Sequence, residues 1–185
     1  MRIVAGAWRG RVLVAPPGQA TRPTADRVRQ ALFDMLMHAE WGGRAVVEGA
    51  AVLDVFAGTG ALGLEALSRG AASACFIEND PAALRALRAN IAACKAGDRT
   101  EVLAADVFTI GRGLRPAAPA SMVFLDPPYG QDLVSHALAR LCDMGHVAPD
   151  ALVIAETGRD EIWRPEQPLL AERRHGAARI LIFRA

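Results

Sequence analysis

In SMVFLDPPYG, residues 121–130, an apolar run ends at Asp126, two prolines follow, and the only tyrosine of the chain, Tyr129, comes next. Proline lacks a backbone N–H and fixes φ, so neither sheet nor helix continues through Pro127 and Pro128. A carboxylate, a stiff turn and an aromatic ring are therefore held at one strand end. Such a set can act on an amino group attached to an aromatic base. The lone pair of that nitrogen is delocalised into the ring, which makes it a poor nucleophile. The Asp126 carboxylate and the Pro127 carbonyl can accept its N–H hydrogens and favour a more tetrahedral nitrogen. Tyr129 can stack on the base and hold the nitrogen in line.

A second cluster, DVFAGTGALG, runs from Asp54 to Gly63. Gly58, Gly60 and Gly63 satisfy G-x-G-x-x-G, and Glu78 ends the next apolar run, SACFIE. Missing Cβ atoms let backbone approach a ligand, and a strand-end carboxylate accepts from ribose hydroxyls. The pattern fits an adenosine-containing ligand, either a nicotinamide dinucleotide or S-adenosylmethionine. Two features favour the methyl donor. Asp54 stands where a pyrophosphate would lie and suits a cationic amino group better, and the chain lacks room for a separate dehydrogenase substrate domain.

The elements that must position these residues alternate. AVLDVF, SACFIE, TEVLAA, SMVFLD and ALVIAE read as strands; ALGLEALSRG, PAALRALRANIAACKAG and QDLVSHALARLCDM read as helices between them, with a short helical stretch after TEVLAA. This predicts a mostly parallel α/β sheet covered on both faces, doubly wound and Rossmann-like. Right-handed crossovers place the second and third strands on one side of the first and the fourth on the other, so the glycine loop and DPPYG flank one crevice. PLLAERR and AARILIF, around HG, predict an antiparallel C-terminal hairpin. Ahead of the sheet, RIVA and RVLV predict a short hairpin, and TADRVRQALFDMLMH a helix capped by Thr24 with Val28, Leu32, Met35, Leu36 and Ala39 in one apolar stripe. The expected division is a hairpin-and-helix appendage over residues 1–45 and a catalytic domain over 46–185.

Composition sets outer limits. Of 185 residues 52% are hydrophobic and 22% charged, an ordinary soluble balance for one domain. No apolar run is long enough to span a bilayer and MRIVAGAWRG lacks a signal-peptide core, so a cytoplasmic location is expected. Cys75, Cys94 and Cys142 are isolated and the four histidines lack ligand spacing, which predicts neither disulfide nor metal. Net charge is only +1, yet Arg2, Arg9, Arg11, Arg22, Arg27 and Arg29 are opposed before Ala31 by Asp26 alone. That local positive potential predicts phosphate binding.

DVFAGTGALG and FLDPPYG resemble the donor-binding and amino-methylation motifs of class I S-adenosylmethionine methyltransferases. MRIVAGAWRGRVL and TRPTADRVRQALFDML are similar to the N-terminal segments of the bacterial 16S ribosomal RNA guanine-N2 methyltransferases of the RsmD type. The resemblance spans nearly the whole chain. It implies methyl transfer from S-adenosylmethionine to the N2 amino group of a 16S rRNA guanine, presented on the small ribosomal subunit or its assembly intermediate. Carried over by position, Asp54, Phe56, Ala57, Gly58, Thr59, Gly60 and Asn79 belong to the donor pocket, Glu78 holds the ribose, and Asp106 bonds the adenine amino group with Val107 beside it. Asp126, Pro127, Pro128 and Tyr129 become the amino-methylation site, with Asp126 also next to the donor. Arg9, Arg11, Arg22, Thr24, Arg27 and Arg29 become the RNA-contacting set. The family often carries aromatics where His175 and Phe183 stand here, so neither is given a catalytic role. A monomer is expected. A DNA adenine-N6 methyltransferase would need a target-recognition insert for which the chain has no space. The other alternative is a non-catalytic RNA-binding assembly module that keeps a donor pocket.

Overall fold

The structure, a computed structural model, describes all residues except 17–22, 112, 115 and 129–132, with backbone only for residues 23–25. Strands β1 (Ala51–Val55), β2 (Ser73–Glu78), β3 (Thr100–Ala104), β4 (Ala120–Leu125), β5 (Val147–Gly158), β6 (Leu169–His175) and β7 (Ala178–Arg184) form one sheet. Its order is β3-β2-β1-β4-β5-β7-β6. β1 to β5 pair in parallel, and β7 runs antiparallel to both β5 and β6. The order reverses beside β1, as the alternating pattern predicts.

Side chains along each inner strand point to opposite faces, and here both faces are dry. Val52, Phe76, Phe124, Ile154 and Ile182 belong to one core cluster; Leu53, Ile77, Leu125, Val153 and Phe183 belong to the other. Helices α1 (Pro23–His38), α2 (Ala61–Ser68) and α3 (Pro81–Cys94) supply the first cluster, and α4 (Leu133–Asp143) the second. α3 starts where it does because Asp80 accepts from the Ala83 N–H at 2.7 Å and Pro81 takes the first position. α1 lays the fully buried Phe33 against Phe124, with ring centroids 5.7 Å apart. Truncating Phe33 to Ala would cost about 3–5 kcal/mol. Among the described residues no helix is long and apolar enough to cross a membrane.

Three details depart from the sequence expectations. α1 begins at Pro23, so Thr24 lies inside its first turn rather than at its cap. The stretch after β3 forms turns without a helix. RIVA and RVLV run side by side, but only Arg2 and Val12 form a bridge. The reason is competition for donors. The Val4 and Ala5 N–H groups go to the Glu65 carboxylate at 2.7 and 3.0 Å, and the Val14 N–H goes to Asn90 Oδ1 at 2.7 Å. The N-terminus is thus a strap across α2 and α3. From this segment and α1, Ile3, Leu13, Leu32, Phe33 and Leu36 are buried in the same cluster as the sheet.

Candidate active site

β1 delivers Asp54 and then turns sharply. Phe56 adopts φ 60°, a left-handed conformation that is uncommon outside glycine, and Gly58 and Gly60 follow at φ 55° and 75°. Gly63 is needed for space. A Cβ there would come within 2.5 Å of the Phe76 ring and 3.2 Å of Asp54 Oδ2. That closeness lets the Gly63 N–H donate to Asp54 Oδ2 at 2.8 Å, clamping the start of α2 to the end of β1. Glu78, at the end of β2, closes the loop from the other side. Its Oε2 accepts from the Gly58 N–H at 2.7 Å, and its Oε1 from the Asn79 and Asp80 N–H groups at 2.8 Å. Asp106 accepts from the Phe108 N–H at 2.8 Å.

Two cavities meet at Phe56. One of about 20 Å³ is lined by Phe56, Ile77, Glu78, Asn79, Asp106 and Val107. Phe108 packs 6.1 Å from the Phe56 ring. The cavity's mix of apolar walls and carboxylates suits the edge of an adenosine. The other, about 440 Å³, is bounded by the glycine loop from Phe56 to Thr59, by Asp54 and by Asp126; α1 contributes Val28, Arg29 and Leu32. Asp54 and Asp126, on different strands and far apart in the chain, therefore share one cleft. Pro127 is buried and Pro128 exposed beyond it. Tyr129 and Arg22 lie outside the described residues, as does the side chain of Thr24.

The cleft is acidic. Burial pushes the Asp54 carboxyl up to about 8, against the Gly63 N–H, which lowers it; the charges of Asp126 and Glu78 add to the rise. Asp126 opens onto the cavity yet sits among protein atoms, and loss of water there raises it to about 7, with Glu156 adding like-charge repulsion. A ligand that is cationic at one end relieves this, whereas a pyrophosphate would worsen it. The donor set therefore fits S-adenosylmethionine, through its ammonium and sulfonium, and fits a dinucleotide poorly.

Sequence reasoning missed Glu156, which lines the large cavity from β5. The signal was present: it ends the apolar run ALVIAE, as Glu78 and Asp126 end theirs. Met1 was also missed; it lines the cavity, and Thr59 Oγ1 lies 3.5 Å from its sulfur. His175 lines the cavity mouth, while Phe183 is buried against Trp163.

The arginines divide. Arg9 and Arg27 are exposed, with no side-chain ion pair or hydrogen bond among the described residues; Arg11 is exposed and donates to the Ala93 carbonyl at 2.6 Å. Arg29 is corrected. It is 5% exposed, pairs with Asp26 at 3.0 Å and the fully buried Glu65 at 3.5 Å, and donates to the Arg2 carbonyl. Arg69 holds the other Glu65 oxygen at 2.8 Å. A guanidinium committed in this way ties α1 to α2 and the strap instead of meeting phosphate. Removing one partner of such a buried pair costs about 3–5 kcal/mol.

The model of the family described as Conserved hypothetical protein 95 matches residues 1–184. The chain is 42% identical over 158 residues to the ribosomal RNA small subunit methyltransferase D of Escherichia coli K12, covering 85% of this chain and 74% of that protein. It is 35% identical over 162 residues to the protein of the same name in Haemophilus influenzae, covering 87% and 80%. The solved structure of the Escherichia coli protein yhhF superposes with a TM-score of 0.81 at 37% identity, covering 100% of this chain and 97% of that one.

Proposed function

We propose that this chain, which belongs to the RsmD-type 16S rRNA methyltransferase family, transfers a methyl group from S-adenosylmethionine to the N2 amino group of a guanine in 16S rRNA. One observation carries the reading of the site: the glycine loop and the Asp126–Pro127 corner open into one acid-lined cleft. Glu78 and Asn79 hold the ribose, Asp106 and Val107 the adenine, and Asp54 the ammonium end. Bound there, S-adenosylmethionine supplies an electrophilic methyl group on a sulfonium.

Everything else falls to the protein. Asp126 and the Pro127 carbonyl accept the two N–H hydrogens of the amine and turn its lone pair toward the methyl carbon. The nitrogen becomes acidic only as the new C–N bond forms, and Asp126, which already accepts one of its hydrogens, takes the proton that leaves. Proline rigidity keeps both acceptors in place without further ordering cost. Tyr129 stacks on the base. A paired guanine cannot reach this depth, so the target is unpaired or flipped. The exposed Arg9, Arg11 and Arg27 hold phosphates of the small subunit or its assembly intermediate, and the enzyme acts as a monomer.

The test uses small subunits from cells lacking this activity, incubated with the protein and labelled S-adenosylmethionine. Digestion and mass spectrometry should find N2-methylguanosine at one site. An unlabelled rRNA, with N6-methyladenine appearing in a parallel DNA reaction, would overturn the substrate.

A further inference from the structure

The described residues hold a second, open groove of about 490 Å³, lined on one side by Met35, His38 and Trp41 and on the other by Ala171 and Arg173. Both walls continue from the cleft. On α1, Val28 and Leu32 line the cleft and Met35 the groove, one stripe at helical spacing. The step from Leu32 to Met35 is less than one helical turn, about 5.4 Å. On the sheet, His175 pairs with Ala178 and Arg173 with Ile180, and His175, Ala178 and Ile180 all line the cleft. Residues 171, 173 and 175 share one strand face, so the groove wall is the same face two residues back. A bulge between Leu169 and Ala171 turns Leu170 into the groove as well.

The lining is suited to a base. Trp41, partly exposed, offers an indole; Arg173 is exposed, and its guanidinium's only hydrogen bond among the described residues is to the neighbouring Glu172 carbonyl. Glu40, also in the lining, can accept from an exocyclic amine. Stacking platforms beside an arginine are how unpaired nucleotides are held without a sequence code.

We propose that the groove between α1 and β6 is a second RNA subsite, which takes an unpaired nucleotide flanking the target guanine when that guanine is in the cleft. The inference rests on the function proposed above. The flanking nucleotide fixes the strand on the side away from the glycine loop and so holds the target base at the correct depth.

Crosslinking and kinetics on the whole chain test it. Ultraviolet crosslinking to small subunits, followed by peptide mass spectrometry, should give nucleotide adducts within residues 38–41 or 170–173. Arg173→Ala and Trp41→Leu should each raise KM for small subunits by roughly 5- to 10-fold, within the range for a lost stacking or phosphate contact. Arg173→Ala should also flatten the salt dependence by about 0.7 of a log unit per log unit of salt, and Arg173→Lys should restore that slope. Donor affinity, measured by titration, reports that the variants are folded. Unchanged KM with adducts confined to the cleft overturns the subsite, and so does a ribosomal-protein peptide crosslinked in the groove. If the wild-type protein methylates no RNA, the function itself falls and the subsite with it. If it methylates normally and the variants match it, the subsite alone falls.

Discussion

The two ends of the cleft are built on different principles. At the donor end each acid is anchored by backbone: Asp54 by Gly63, Glu78 by Gly58, Asn79 and Asp80, Asp106 by Phe108. Their partners lie within 20 residues in sequence; Glu78 and Asp106 border a cavity of only about 20 Å³, while Asp54 opens onto the larger cleft. At the acceptor end, Asp126 faces a cavity of about 440 Å³ whose walls come from the glycine loop, α1, α2, β1 and the strands β4 to β7, and no hydrogen bond reaches its carboxylate among the described residues. An acid held by N–H groups keeps its geometry whether or not a ligand is present. An acid facing open space can change partners during a reaction. On the proposed function, the donor end is accordingly a cradle, and the acceptor end is where the chemistry takes place.

The sharpest way to break this comparison is to remove the acceptor acid. Asp126→Ala should lower turnover by about 10²- to 10³-fold, the usual loss for one preorganised hydrogen-bonding group in a transition state. Donor affinity, read by calorimetry, should stay within a few-fold of the parent protein. If turnover persists, Asp126 has no part in the reaction. If donor affinity collapses with turnover, the two ends are not separable.

Glu78→Ala should fail in the opposite manner. It removes an acceptor for ribose hydroxyls and also leaves the Gly58, Asn79 and Asp80 N–H groups without their partner. Hydrogen bonds to a charged group contribute about 1.5–3 kcal/mol each, so donor affinity should fall by roughly 10- to 100-fold. At saturating donor, turnover should fall much less than in Asp126→Ala. A variant that binds donor normally but turns over slowly would reverse the assignment of the two ends.

The difference also explains what could be read from the sequence. Glycines, an acid before them and an acid at the next strand end are a local pattern, because the loop folds on itself; alternating apolar runs then predict the strand order that brings Asp126 alongside. Arg29 could not be read in that way. Arg27 and Arg29 both flank the apolar stripe of α1, and only the packed structure separates the exposed cation from the one on Glu65. A clue lay elsewhere, in ALGLEALS: Glu65 sits in a buried run, and an acid there requires a cation. The strap likewise escaped, since its N–H groups are taken by side chains 60 or more residues away rather than by a neighbouring strand. The apolar cleft walls, Val28, Leu32 and Ile180, look like any core residue in sequence, because nothing but tertiary approach distinguishes a cavity wall from a filled interior.

A smaller effect sharpens the contrast by asking which end holds protons. Asp54 and Asp126, raised to about 8 and about 7, are largely protonated in the free protein at pH 6.5. A cation bound in the cleft stabilises both carboxylates and lowers both pKa values, so donor binding must release protons, and affinity must rise with pH. At pH 6.5 an α-amino group lies below its ordinary pKa, so the donor is already a full cation and takes up nothing itself. Calorimetry in buffers of different ionisation enthalpy should find on the order of one proton released per donor bound. Asp54→Asn should remove the larger share, because Asp54 has the higher pKa and the proposed function puts the ammonium at its end of the cleft. If Asp126→Asn removes the larger share, the cationic end of the donor is felt mainly at the acceptor end. If no proton is released, both acids are ionised before the donor arrives, and desolvation does not set the charge of this cleft.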